Sequence, residues 1–248
     1  MALLAFPSVV IPAQAEPYLR LGLGADGSVP ADFRDRDCSS TQPPALFGCG
    51  EGRNGSPLGS EGSFGNGVVL DAGLGYRVNR WLRVEGLFSY RPSYDYSGQA
   101  NFNQVALPQP VSANLSSVAG FGVGYLDLPS IGKVRPFLGA GVGVARNRIS
   151  AVSYEFPTLA SAASTTIAGG TTTGVAWLLT AGVEIPLNDR LSLDLAYRYT
   201  DLGKVKTDAG SATIVRPAPV GTFNLDIAGT QSALQTHGAM LTLRYAFR

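Results

Sequence analysis

His237 is the only histidine in the 248-residue chain, so histidine-based chemistry must pass through it. Its parity matches Ala239 and Leu241, which sets it on an outward apolar strand face. A hydrolase built on such a face needs a serine and a carboxylate beside the imidazole. Two places on stands Ala239, so that pair is missing and no catalytic residue is assigned. The two cysteines, Cys38 and Cys49, lie in a segment rich in Gly, Pro and Ser. In an exported chain such a pair closes one disulfide, tying a local loop. A metal site would want further ligands, and the histidine is remote, so no metal or cofactor is expected. The run Asp32-Phe33-Arg34-Asp35-Arg36-Asp37 could hold calcium or a cationic partner, but its mixed signs fit a solvated loop. The Gly-x-Gly repeats sit inside strands with no helix after them, unlike a phosphate-binding loop.

These residues belong to a chain of unusual composition. Charged residues are 15% and glycines are 31 of 248, against averages of about 25% and about 7%. Hydrophobic residues are 45% and the net charge is +1. A disordered chain would be less apolar and more charged, and a nucleic-acid binder more basic. Ala2 to Ile11 form an apolar run, and Ala13-Gln14-Ala15 fits a small-residue cleavage site. Residues 1–15 therefore read as a signal peptide. No positive region precedes the run, so its start reads as truncated or late. The mature domain is 16–248. It contains no apolar run long enough for a transmembrane helix.

Period-two stretches fall at 17–25, 67–78, 81–91, 116–128, 133–146, 174–186, 190–201 and 234–247. These eight have roughly the 9–11 residues or slightly more that a tilted strand needs to cross a bilayer. Short joints at 78–81, 128–133 and 186–190 alternate with long polar ones at 26–66, 92–115, 147–173 and 202–233. An up-and-down meander whose two ends face different surroundings has this pattern. The segment 158–173, rich in Ser, Thr, Ala and Gly, reads as a flexible loop tip.

One face of each strand is apolar, as in Leu82, Val84, Phe88 and Tyr90, or Leu241, Leu243, Tyr245 and Phe247. The other collects both signs of charge: Arg20, Asp71, Arg83, Glu85, Arg135, Glu184, Asp194, Arg198 and Arg244. Lysine is nearly absent there, and arginine with carboxylates suits a buried ion-paired interior. Gly22, Gly24, Gly73, Gly75, Gly120, Gly122, Gly124, Gly139, Gly141 and Gly143 are expected on the same inner face, making room for it. Aromatics then fall into two girdles. Tyr76, Trp81, Tyr125, Tyr245 and Phe247 lie toward the end with short turns. Phe88, Tyr90, Trp177, Tyr197 and Tyr199 lie toward the other.

The stretch Tyr197-Arg198-Tyr199-Thr200-Asp201-Leu202-Gly203 resembles the penultimate-strand signature of the small outer-membrane β-barrel family, which includes the OmpA-like transmembrane domain and opacity-type surface antigens. The run Arg135 to Gly143 is similar to that family's fifth strand. Leu241 to Phe247 resembles its C-terminal strand, except that Arg248 follows the aromatic. The resemblance implies an all-β fold: an eight-stranded antiparallel up-and-down transmembrane β-barrel with short periplasmic turns and four long external loops. It implies the outer membrane of a Gram-negative bacterium with both termini periplasmic; no peptidoglycan-binding domain is expected after the barrel, so the wall-anchoring role of longer relatives is not implied. Outer-membrane lipids and lipopolysaccharide would surround it, and the barrel assembly machinery would read its last strand. The expected function is non-enzymatic: envelope integrity, and loops presented to a host or cell-surface receptor. A small porin-like channel is the alternative. A lipid-modifying barrel enzyme and a soluble lipocalin-like carrier rank below it. No nucleic-acid partner is expected.

Overall fold

The computed structural model describes residues 16–159 and 163–247. The signal-peptide reading of 1–15 and the departure at Arg248 lie outside the described residues. Fourteen strands occur in them: β1 (Glu16–Ser28), β2 (Pro30–Asp35), β3 (Ser60–Ser63), β4 (Asn66–Arg77), β5 (Leu82–Ala100), β6 (Pro110–Asp127), β7 (Arg135–Ile149), β8 (Val152–Glu155), β9 (Ser164–Ile167), β10 (Gly170–Pro186), β11 (Leu191–Lys206), β12 (Gly210–Val215), β13 (Thr222–Ile227) and β14 (Thr230–Ala246).

Eight of them form a ring, β1-β4-β5-β6-β7-β10-β11-β14, and β14 closes it by pairing antiparallel with β1 from Tyr18↔Ala246 to Ser28↔Thr236. Closure pairs the strand edges with one another, which is what lets a sheet sit in hydrocarbon. The outer face carries large apolar side chains in the open: Leu74 is 67% exposed, Val142 63% and Val175 71%. Two of the three short turns are set by an asparagine. Asn79 Oδ1 accepts from the N–H groups of Trp81 and Leu82 at 2.8 and 2.9 Å. Asn188 Oδ1 accepts from Arg190 and Leu191, both at 2.9 Å. An asparagine side chain that mimics a backbone turn in this way needs no long loop.

The long connections depart from expectation. The ring strands run on past the apolar band, and six short strands build a crown on them. Beyond the ends of β1 and β4, the β2–β3 hairpin takes their place, pairing with β14 on one side and β5 on the other. Across the ring, β8, β9, β12 and β13 continue the sheet from β6. The segment 158–173 is therefore not a loop tip throughout. It contains β9 and the start of β10. The crown has its own apolar packing, continuous with the lumen: Phe33 meets Phe64 and Tyr96 edge-on at 6.0 and 4.9 Å.

Two strands change face midway. A bulge between Arg91 and Tyr94 turns β5 over, so Arg83, Glu85, Leu87, Ser89 and Arg91 point inward below it and Tyr94 and Tyr96 above it. In β11 the bulge lies between Asp201 and Lys204. Gly203 sits there at φ +76°, and a Cβ on it would lie 2.9 Å from the Val175 carbonyl. Asp201 Oδ1 accepts the Gly203 N–H at 2.8 Å. The signature stretch is thus a bulge that only glycine fits without strain.

Candidate functional site

Inside the ring, charge is arranged in paired layers. Arg20 donates to Glu85 at 2.6 Å, to the Tyr125 hydroxyl at 2.7 Å and to Thr242 Oγ1 at 2.9 Å. Glu85 also accepts from the Tyr18 hydroxyl at 3.0 Å. Arg198 donates to Asp71 at 2.7 Å, and Asp71 lies 3.8 Å from Arg20. Nearer the short turns, Arg83 pairs with Asp127 at 2.7 Å, and Arg244 with Asp194 and Glu184, both at 2.8 Å. Arg135 stands at the edge, a third exposed and 3.9 Å from Glu184. The remaining cavity at the level of Arg20, Asp194 and Arg198 is about 10 Å³, room for roughly one water.

The nine charged residues picked from the sequence face this interior. Four further charged residues take part. Asp127 joins Arg83 and Arg77, and Arg77 also reaches Glu184 at 3.4 Å. Arg91 pairs with Asp26 at 3.1 Å, and Asp26 also accepts from the Tyr94 hydroxyl. Tyr125 is corrected: it is 4% exposed and lies in the lumen, not in a girdle, with the Arg83 guanidinium 4.8 Å from its ring centre. Gly120, Gly122 and Gly124 are corrected with it. They face outward and are exposed, because β6 turns Phe121, Val123, Tyr125 and Asp127 inward. The charge of Asp127 would have fixed that parity. Gly22, Gly24, Gly73, Gly75, Gly139, Gly141 and Gly143 do face inward.

The other girdle residues, Tyr76, Trp81, Phe88, Tyr90, Trp177, Tyr197, Tyr199, Tyr245 and Phe247, point away from the lumen. Trp177 and Tyr199 pack at 5.3 Å, and Tyr245 and Phe247 at 5.5 Å. His237 is exposed on the outer face, and its Nδ1 lies 3.0 Å from the Tyr197 hydroxyl. Among the described residues no group of three His, Cys, Asp or Glu side chains is placed to hold a metal ion.

In the crown, Cys38 and Cys49 form a disulfide. The loop it closes is held by Asp35, which accepts from the N–H groups of Leu46, Phe47 and Gly48 at 3.0, 2.9 and 2.8 Å. Asp35 thus anchors this loop and is not simply solvated. Its burial pushes its carboxyl above the usual carboxylate range, against those three donors. The Ser39 hydroxyl and N–H hold the exposed Asp37 below that range.

A closed antiparallel ring, apolar outside and ion-paired inside, defines a transmembrane β-barrel. The chain belongs to the family described as outer membrane protein beta-barrel domain, which matches residues 1–247. It is a bacterial outer-membrane barrel. An uncharacterized protein of Brucella abortus (strain 2308) is 30% identical over 154 residues, covering 55% of this chain and 52% of that one. A candidate adhesin of Rickettsia bellii is 29% identical over 122 residues, 49% of each chain. The chain spans about half the length of the curated relatives it matches. Among solved structures, the outer membrane protein OprG of Pseudomonas aeruginosa superposes with a TM-score of 0.50 at 14% identity, over 94% of this chain and 96% of that one. At that identity the likeness concerns the fold alone.

Proposed function

We propose that the protein is a non-enzymatic outer-membrane barrel that supports envelope integrity and presents its crown outside the cell for adhesion or antigenic contact. The filled lumen carries this reading. With about 10 Å³ left at the level of Arg20, Asp194 and Arg198, the ring is closed midway and is a rigid post rather than a path, as an eight-stranded barrel allows. Surface contact then falls to the crown. Its most open part is the β12–β13 hairpin, where Val220, Phe223 and Leu225 are 63%, 44% and 45% exposed. In the described sheet β13 pairs with β12 alone, and an unpaired strand edge is a ready template for a partner. The Rickettsia relative named as a candidate adhesin is consistent with this reading.

The proposed orientation sets the three short turns and both termini in the periplasm. A basic collar supports it. Arg146 and Arg148 on β7 and Lys204 and Lys206 on β11 flank Thr171 and Thr173 of β10, just beyond Val144 and Val175 on the outer face. Lipopolysaccharide phosphates at the outer leaflet would meet such a collar. The C-terminal strand presents Leu241, Leu243, Tyr245 and Phe247 outward for the assembly machinery. Two experiments test the reading. Single cysteines at Ser211 and Asp189 are labelled in intact cells with an impermeant maleimide; labelling at Asp189 and not at Ser211 would invert the orientation. Cells expressing the chain without Gly210–Ile227 should lose adherence to host cells while heat-shifted gel mobility persists. Unchanged adherence removes the contact role.

A further inference from the structure

The crown encloses a cavity of about 410 Å³, inside the 300–1,000 Å³ range of small-molecule sites. One wall is aromatic. Phe47 and Phe102 stack at 5.2 Å, Tyr154 meets Phe47 edge-on at 5.9 Å, and Phe156 meets Phe102 at 6.0 Å. Ile214 and Leu225 of the β12–β13 hairpin also line it. Leu225 is 45% exposed, which leaves the cavity reachable from solvent.

Among its lining residues one is charged, Arg216. Its guanidinium lies 5.3 Å from the Phe156 ring centre and donates to the carbonyls of Val215 and Ser164 at 2.9 and 3.3 Å. Among the described residues no carboxylate pairs with it, in contrast to the lumen arginines, each of which has one. Tyr154, 1% exposed, completes the wall. A cation with no counter-charge, set over an apolar chamber, favours an anion whose remaining body is apolar.

We propose that this cavity binds a small amphipathic carboxylate, its chain against the aromatic wall and its carboxylate on Arg216. The site is separate from the lumen; it shares Ile214 and Leu225 with the β12–β13 hairpin, and its test reads ligand binding, which stands or falls apart from adherence. The test uses the full chain in lipid nanodiscs and isothermal titration with octanoate, octan-1-ol and octylammonium, after subtraction of empty nanodiscs. Octanoate should bind saturably and more tightly than octylammonium. Arg216→Gln should weaken octanoate by roughly ten-fold or more, leave octan-1-ol unchanged, and be rescued in part by Arg216→Lys. Leu225→Trp, which narrows the cavity at an exposed position, should weaken octanoate and octan-1-ol together. Heat-shifted gel mobility checks that each variant is folded. Octanoate uptake no greater than by empty nanodiscs, equal affinity for octylammonium, or unchanged affinity in folded Arg216→Gln would each overturn the proposal.

Discussion

Replacing Glu85 with alanine removes the acceptor at the centre of the lumen. The side chain is fully buried, and it receives Arg20 at 2.6 Å, the Tyr18 hydroxyl at 3.0 Å and the Tyr125 hydroxyl at 3.3 Å. Arg20 would keep the Tyr125 hydroxyl at 2.7 Å, Thr242 at 2.9 Å and a distant Asp71 at 3.8 Å, which Arg198 already engages at 2.7 Å. Breaking one partner of a buried pair costs about 3–5 kcal/mol. The residual Asp71 contact sets the expectation at the low end, about 3 kcal/mol. In a chain of this size that corresponds to roughly 6–12 °C in Tm. Urea unfolding in detergent micelles, followed by the fluorescence of Trp81 and Trp177, reads the free energy. The temperature of the gel-mobility shift reads it independently. The double change Arg20→Met with Glu85→Leu removes both charges at similar volume, and should recover most of the loss or exceed the parent. A single variant within about 1 °C of the parent would refute an energetically coupled interior. So would a double variant that merely sums its two singles.

Other expectations follow from the same geometry. Glu184→Ala should cost less than Glu85→Ala, because Arg244 keeps Asp194 at 2.8 Å and Arg135 is already a third exposed; the same urea titration compares them. Gly203→Ala forces a side chain to φ +76° against the Val175 carbonyl, and should lose about 1–3 kcal/mol by that titration. Changing Cys38 and Cys49 to serine frees a loop of sequence separation 11, worth about 3 kcal/mol to the crown. Limited proteolysis within 36–50 should rise while the barrel's gel shift stays put. Planar bilayers with the purified protein should show no stable conductance steps, since the ion pairs leave about 10 Å³ among Arg20, Asp194 and Arg198.

The ring was legible in the sequence because each crossing strand keeps one parity across the apolar band. Leu82, Val84, Phe88 and Tyr90 against Arg83, Glu85 and Ser89 leave no second solution. The strands were read too short where a bulge reverses that parity. Past Pro92-Ser93 the inward set moves from odd to even positions, so Tyr94 and Tyr96 look misplaced in a simple alternation. Past Gly203 the inward set moves from Leu202 to Val205. A period-two pattern ends at such a point although the hydrogen-bonded ladder continues. The crown strands are four to six residues long, too short to show a period above the surrounding turns.

The error on β6 separates two kinds of inward signal. Three glycines at alternate positions looked like the small residues that clear space for arginine. Glycine carries no orientation of its own, and Gly120, Gly122 and Gly124 instead expose backbone on the outer wall. Their neighbours Phe121 and Tyr125 fill the lumen, and the Tyr125 ring lies 4.8 Å from the Arg83 guanidinium while its hydroxyl donates toward Glu85. Bulk that would be expected to face lipid is spent inside because an arginine-rich interior needs aromatic faces as well as carboxylates. Charge fixes parity more firmly than size does. A carboxylate on the lipid face is costly, whereas a glycine there costs only propensity. Asp127 was therefore the decisive residue of β6, and the same rule, applied to Arg91 and Arg77, places them in the lumen with the acids they need.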